Sequence, residues 1–190
     1  MAVEPVQSDA SLARAAAAGC AERFALLAQR HQVALRHYVL RLASRVGRGD
    51  VDDVVQEAFL RAWQRLDRYD SRWAFSTWLF AIARRVWLNQ ERGRQRRRER
   101  ETAAARPFAV AGEPDAGAIA TEQATLIWDV AAAELSECEF TATWLRYVEE
   151  KSLAEIAVIL GKPESTAKVI LFRARRRLEP FVRDLTTERE

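Results

Sequence analysis

Residues 152–178 have the sequence SLAEIAVILGKPESTAKVILFRARRRL, which carries the clearest structural pattern in the C-terminal part of the chain. Ser152 and Glu155 have the spacing of a capping box at the start of a short apolar helix, which Gly161 ends. A second helix is predicted from Glu164 or Ser165 onward, with most of its cations away from its apolar side. That apolar side comprises Ala167, Ile170, Leu171, Ala174 and Leu178. A short helix, a glycine turn and a cationic helix predict a helix-turn-helix.

A helix-turn-helix would place its second helix in the major groove of duplex DNA. The N-terminal residues Ser165, Thr166 and Lys168 would lie near base edges. The later arginines, among them Arg173 and Arg176, would lie along phosphates. The alternative is a helical hairpin with a solvated charged face, and it stays open on these residues alone.

The first half of the chain shows the three- and four-residue spacing of amphipathic helices. Helices are predicted from near residues 21, 50–52 and 74–76, and the last of them continues into an arginine-rich segment. No stretch alternates with period two for long enough to predict a strand. The predicted fold is therefore all-α.

Residues 101–118 are rich in alanine, proline, glycine and acidic residues, with Pro107, Gly112, Pro114 and Gly117 too close together for a regular element. We expect two small helical domains, residues 1–100 and 120–190, joined by a flexible linker at 101–119. A chain of 190 residues with 49% hydrophobic content can form two such cores.

Basic residues are concentrated in two segments. Residues 84–100 contain eight arginines and two glutamates, and residues 162–177 contain six cations and one glutamate, although the whole chain has a net charge of only +3. The rest of the chain is therefore acidic. This distribution suggests two contacts with a polyanion and an acidic surface for another partner.

Several function classes are excluded by what the sequence lacks. It has no Gly-rich phosphate loop, metal-ligand cluster or nucleophile–base pairing, so we expect no enzyme, no cofactor and no small-molecule substrate. Cys20 and Cys138 lie far apart without a second cysteine nearby, which fits a reducing cytoplasm. No secretion signal and no membrane span are predicted, and we expect a cytoplasmic protein.

Residues 69–78 combine aromatic side chains with Ser, Thr and Arg just before the arginine-rich segment. Such a set can stack on unpaired bases while cations hold the phosphate backbone. A hydrophobic core is the other interpretation, and we expect it for Phe75 and Trp78, which share an apolar stripe with Ile82. For Tyr69, Trp73 and Phe80 both interpretations stay open.

An acidic segment lies at the start of the second predicted helix and comprises Asp50, Asp52, Asp53, Gln56 and Glu57. Negative charge is favourable at a helix N-terminus, but capping does not account for the whole set. An acidic face on an otherwise basic DNA-binding chain would suit a basic protein partner.

Two sets of motifs resemble the extracytoplasmic-function (ECF) group of bacterial RNA polymerase sigma factors. Residues 52–63, DDVVQEAFLRAW, and residues 75–84, FSTWLFAIAR, resemble their region 2. Residues 145–147, 153–157 and 171–178 resemble their region 4. The resemblance implies a transcription initiation factor that binds core RNA polymerase, directs it to promoter DNA and helps to melt that DNA. It also implies an anti-sigma protein as a probable partner.

By the same resemblance, individual positions acquire expected roles. Asp53, Gln56 and Glu57 match the segment that docks on core polymerase. The loop at 69–75 and the helix that follows match the segment that binds the minus-ten element; the candidate residues are Tyr69, Arg72, Trp73, Phe75, Ser76, Thr77, Arg84, Arg85 and Asn89. The second helix of the helix-turn-helix matches the segment that binds the minus-thirty-five element; the candidates are Ser165, Thr166, Lys168, Arg173 and Arg176.

The chain departs from the family pattern at positions that bear on promoter preference. Arg85 stands where the family usually has Asn, which favours a phosphate contact over base recognition. Val169 and Ile170 replace a polar and a basic residue. One hypothesis is that both pack within the protein or against a partner and leave an atypical or weaker minus-thirty-five preference.

Three alternative functions account for less of the sequence. A helix-turn-helix regulator that binds DNA unaided would not explain the first half of the chain. A nuclease would need converging acidic residues, and only Asp53 and Glu57 share a face. A degenerate sigma factor that sequesters a regulator would account for the departures in region 4.

Overall fold

The computed structural model describes residues 7–44, 51–102 and 122–187, and every regular element in these ranges is a helix. The α-helices are α1 Asp9–Ala17, α2 Ala21–Ser44, α3 Val51–Gln64, α4 Phe75–Thr102, α5 Glu122–Glu134, α6 Glu137–Tyr147, α7 Leu153–Leu160 and α8 Glu164–Thr187. One 3-10 turn, Leu66–Arg68, follows α3. The predicted all-α class is confirmed. Gly47 and Gly49, which the sequence predicts to end α2, lie outside the described residues, as does most of the predicted linker.

The helix α1 is absent from the sequence predictions. Ser8 caps it by accepting a hydrogen bond from the Ser11 amide at 3.3 Å. Its buried side chains are one leucine and two alanines, which give too weak an apolar pattern to detect. Asp9 ties the helix to α2 through Arg30 at 2.8 Å and His31 at 2.7 Å.

Helices α2, α3 and α4 pack together with α1 as a bundle, and the positions predicted to be apolar are those that the fold buries. Val54 and Ala58 of α3 face Leu79 and Ala83 of α4 within one core in which all four are at most 1% exposed. Because three-and-four spacing places these side chains on one face of each helix, burial of that face holds the bundle together.

Helices α5 to α8 form the second half, and local signals fix its turns. Both Ser136 and Ser152 cap their helices in full capping boxes, with Glu139 and Glu155 as the reciprocal partners. Gly161 ends α7 in the left-handed conformation, φ 64°, as the sequence predicts. The helix α8 continues beyond the predicted apolar stripe to Thr187.

The two halves pack against each other. Their buried residues form one continuous core, in which α4 lies against α7 and α2 contacts α5 and α6. The Tyr38 hydroxyl lies 3.2 Å from Thr141 Oγ1, and Arg41 Nη1 donates to Asp129 Oδ1 at 2.8 Å. This contact between the halves covers one face of α4, and that face carries several of the predicted DNA-binding residues.

Candidate functional site

The acidic surface of α3 lies beside a groove shared with α4. Asp53 and Gln56 are exposed, whereas Glu57 is half-buried and accepts a hydrogen bond from Arg61 Nε at 2.6 Å. Leu60 lines the same groove and is 50% exposed. The helix thus presents two acidic groups and an amide around an apolar side chain, a combination that a protein partner can bind.

The loop between the 3-10 turn and α4 is held by its own side chains. The Tyr69 hydroxyl donates to the Trp73 carbonyl at 2.8 Å, and the Tyr69 ring packs against Phe75 and Trp78 with centroids 5.6 and 5.5 Å away. Hydrogen bonds from the side chain and backbone of Arg72 lower the pKa of Asp70. The loop therefore has a defined shape before it meets any ligand.

The aromatic residues divide between core and surface. Phe75 and Phe80 are 1% and 2% exposed, so both belong to the core, and Trp78 is half-buried against it. The core interpretation is confirmed for Phe75 and Trp78. In this arrangement Phe75 is not on the surface where it was expected to meet DNA, whereas Tyr69 and Trp73 remain partly exposed.

The first turns of α4 make polar contacts with α7 and the residues before it. Lys151 Nζ donates to Ser76 Oγ at 2.6 Å, and Thr77 Oγ1 donates to Glu155 Oε1 at 2.6 Å. Burial raises the pKa of Glu155, but hydrogen bonds from Thr77 and Ser152 and the charge of Lys151 outweigh it, and the net pKa is lowered. Thr77 is fully buried, so its hydroxyl is unavailable to DNA here.

About two turns further along α4, Arg84 forms a bidentate polar link between the halves. Its Nε and Nη2 atoms donate to the two carboxylate oxygens of Glu137 at 2.7 and 2.6 Å, and its side chain is 11% exposed. This bidentate geometry is the one that an arginine uses to bind a carboxylate or a phosphate. Cys138 Sγ lies 3.4 Å from both partners, and burial and the nearby carboxylate raise the pKa of its thiol.

Another part of the cationic surface of α4 borders a groove shared with α7. Arg85 and Asn89 are exposed and line a groove whose floor includes Trp78 and Ile82. The same groove is lined by further arginines, Arg61, Arg65, Arg68, Arg84 and Arg92. Arginines above an apolar floor form a surface that suits a phosphate backbone with unstacked bases.

The outward face of α8 carries the predicted minus-thirty-five residues together. Ser165, Lys168, Arg173 and Arg176 are exposed and Thr166 is partly exposed, while the apolar positions predicted to face the core are buried or partly buried. Of the two departures expected to pack within the protein or against a partner, one packs within the protein. Ile170 packs partly against the core, whereas Val169 is 46% exposed.

Sequence reasoning missed the residues that cover α4. Glu155 was identified only as a capping residue, and nothing in the sequence marked Glu137 or Lys151 as a partner of the first half. Arg65 and Arg68 of the groove follow α3, and no sequence pattern gave either of them a role. Partnerships across more than 50 residues have no local signal.

Across 7–44, 51–102 and 122–187, no group of three His, Cys, Asp or Glu side chains is arranged to hold a metal ion. Within these same ranges, no helix has both the length and the apolar character that crossing a bilayer requires.

Known proteins resemble both halves of the chain. The family described as Sigma-70 region 2 matches residues 27–97, and the family described as Sigma-70, region 4 matches residues 126–178. The ECF RNA polymerase sigma-E factor of Escherichia coli is 32% identical over 177 residues, which cover 88% of this chain and 90% of that protein. The ECF RNA polymerase sigma factor SigW of Bacillus subtilis is 29% identical over 144 residues, 72% of this chain and 77% of that one.

One solved structure is similar to this chain over nearly its whole length. The structure of CnrH in complex with the cytosolic domain of CnrY superposes with a TM-score of 0.66 at 25% identity, covering 94% of this chain and 99% of CnrH. The similarity therefore extends over both halves.

Proposed function

This chain belongs to the ECF family of RNA polymerase sigma factors, non-catalytic subunits that direct RNA polymerase to promoters, and we propose how its surfaces divide that task. The acidic surface of α3 binds core polymerase. The loop at 69–74 and α4 bind the minus-ten element, and α8 binds the minus-thirty-five element. The chain acts in the cytoplasm, where core polymerase and promoter DNA are.

The presence of one cationic surface on each half supports this proposal most directly. The arginines of the groove beside α4 all lie in the region 2 half, although α7 lines one side of that groove, and the outward face of α8 lies in the region 4 half. A promoter with two separated elements requires two such surfaces, each with cations for phosphates and shorter polar side chains for bases. The helix-turn-helix turn at Gly161 directs the start of α8 outward.

The groove beside α4 supports a role in binding single-stranded DNA. Arg85 and Asn89 of α4 would contact the backbone of the minus-ten strand. Arg72 and Trp73 lie in the loop that precedes α4. Arginine at position 85 favours phosphate over base recognition, because its guanidinium is long, planar and always charged.

The contact between the halves bears on how the minus-ten surface becomes available. Ser76, Thr77 and Arg84 are engaged by region 4, so their binding to DNA requires the halves to separate. We assign the closed arrangement to the DNA-free chain. The similar CnrH structure contains the cytosolic domain of CnrY. By analogy with that complex, the proposal includes an anti-sigma protein that binds this chain and holds it closed.

Run-off transcription with bacterial core RNA polymerase on a genomic promoter library tests the proposal. Transcripts that need the chain should fade when Gln56→Ala and Glu57→Ala are combined. The control combines Glu22→Ala and Gln29→Ala, which remove an exposed acid and an exposed amide from α2. Failure of the chain to bind core polymerase would contradict the proposal, as would equal transcription by both double variants.

A further inference from the structure

One exposed apolar side chain lies in the middle of the DNA-facing surface of region 4. Val169 is 46% exposed on α8. At 100° per residue it lies within about 60° of Ser165, Arg173 and Arg176 around the helix axis. Those three residues are exposed as well, so Val169 is surrounded by the side chains proposed to contact the minus-thirty-five element.

The second departure from the family pattern, at position 170, shows that the exposure of Val169 follows from its position around the helix axis. Ile170, the next residue, turns toward the core and packs against it. Val169 instead joins Phe172, 59% exposed one turn later, in a small apolar surface on the outward side. Apolar groups that a chain leaves in water gain free energy when a ligand covers them.

The charges around this surface indicate which ligand covers it. Lys168, Arg173 and Arg176 are exposed beside it, so a partner at Val169 must tolerate several cations at once. Duplex DNA does so through its phosphates. Its major groove also offers one apolar group, the 5-methyl of thymine, which small apolar side chains contact.

We propose that Val169 contacts the 5-methyl group of a thymine in the minus-thirty-five duplex and makes that thymine a determinant of promoter choice. The inference rests on the proposed function of α8. The division of roles follows from side-chain length. The long side chains of Arg173 and Arg176 reach phosphates at the groove edges, whereas the short Val169 lies against the bases.

Deoxyuridine scanning of a promoter that responds to this chain tests the proposal. Each thymine of the minus-thirty-five duplex is replaced in turn by deoxyuridine, which lacks only the 5-methyl group, and holoenzyme binding is measured at constant salt. At one position the replacement should weaken binding by roughly three- to fourfold, the scale of one buried methyl group. The Val169→Ser variant should lose this sensitivity, so that thymine and deoxyuridine templates bind equally.

The matched control is Val33→Ser, which changes a valine that is 59% exposed on α2 and should retain the full deoxyuridine effect. If no thymine methyl affects binding, or if Val169→Ser retains the effect, the inference is overturned and a protein partner becomes the occupant of this surface. Absence of any promoter-dependent transcript on the unmodified template would instead overturn the proposed function, and the inference with it.

Discussion

Removing the carboxylate that covers Arg84 should open the chain. Glu137→Gln keeps the size of the side chain and leaves Arg84, a proposed minus-ten contact, intact. The bidentate pair at 2.6 and 2.7 Å loses its charge, and one carboxylate oxygen becomes an NH₂ group that opposes the guanidinium donors. Two side chains only 11% and 25% exposed are weakly screened by water.

The size of the effect follows from that geometry. Hydrogen bonds to charged groups contribute about 1.5–3 kcal/mol, and we use this range because neither partner is fully buried. At about 1.4 kcal/mol per factor of ten, the balance between open and closed chain should shift about 10- to 150-fold toward open. A compact chain of this length has a radius of gyration of about 16 Å, and opening increases it.

Small-angle X-ray scattering on the free chain measures this change, and run-off transcription at limiting chain measures its consequence. Glu137→Gln should increase the radius of gyration and the yield of transcript. The matched control is Glu179→Gln, which removes the same charge from an exposed pair with Arg183 within α8. If Glu137→Gln leaves both the scattering curve and the transcript yield unchanged, the Arg84–Glu137 pair does not hold the halves together.

Three further predictions concern the contacts that surround this pair and fix region 4. Thr77→Val removes the 2.6 Å hydrogen bond to Glu155 with little change in side-chain volume. It should weaken the contact between the halves by about 1–2 kcal/mol and increase the radius of gyration. An unchanged radius of gyration would contradict this. Gly161→Ala should destabilise the chain by about 1 kcal/mol in urea unfolding, because a φ of 64° disfavours any residue with a Cβ atom. A Cβ at this position would meet no atom within 4 Å, so steric contact would not contribute. Unaltered stability would refute backbone strain at this position. Burial raises the pKa of Glu139, but hydrogen bonds from Ser136 and the charges of two arginines outweigh it and leave the pKa lowered. The ionised Glu139 side chain therefore stabilises the fold above the usual pKa of 4.5, and this stabilisation is lost as the pH falls through the lower folded pKa. The difference in free energy of unfolding between the unchanged chain and Glu139→Gln should shrink toward pH ~3. A difference that does not depend on pH would refute ionisation of Glu139 as its cause.

The sequence predicted most of the fold because its signals are local. The capping box at Ser152, the glycine at 161 and three-and-four spacing each act within a few residues, and each is confirmed by the structure. The helix α1 was missed because its buried side is mostly alanine, whose burial contributes little. The same spacing that placed Phe75 in the core also limited its role in the predicted minus-ten surface.

The contact between the halves had no comparable signal, and its chemistry explains why. An arginine that binds phosphate and an arginine that binds a carboxylate require the same fork of donors, so sequence alone gives Arg84 the same expected role in either case. In the structure the oxygens of Glu137 occupy the donors that DNA would use. Glu155 likewise occupies the hydroxyl of Thr77. On the proposed assignment of the minus-ten surface, the acidic side chains of region 4 would compete with DNA for region 2. Because this competition is within one chain, promoter phosphates would displace those side chains only together with the apolar packing of α4 on α7. Promoter binding is then coupled to the opening of that packed surface, so substitutions in the apolar contact between α4 and α7 should change DNA affinity although they touch no nucleotide.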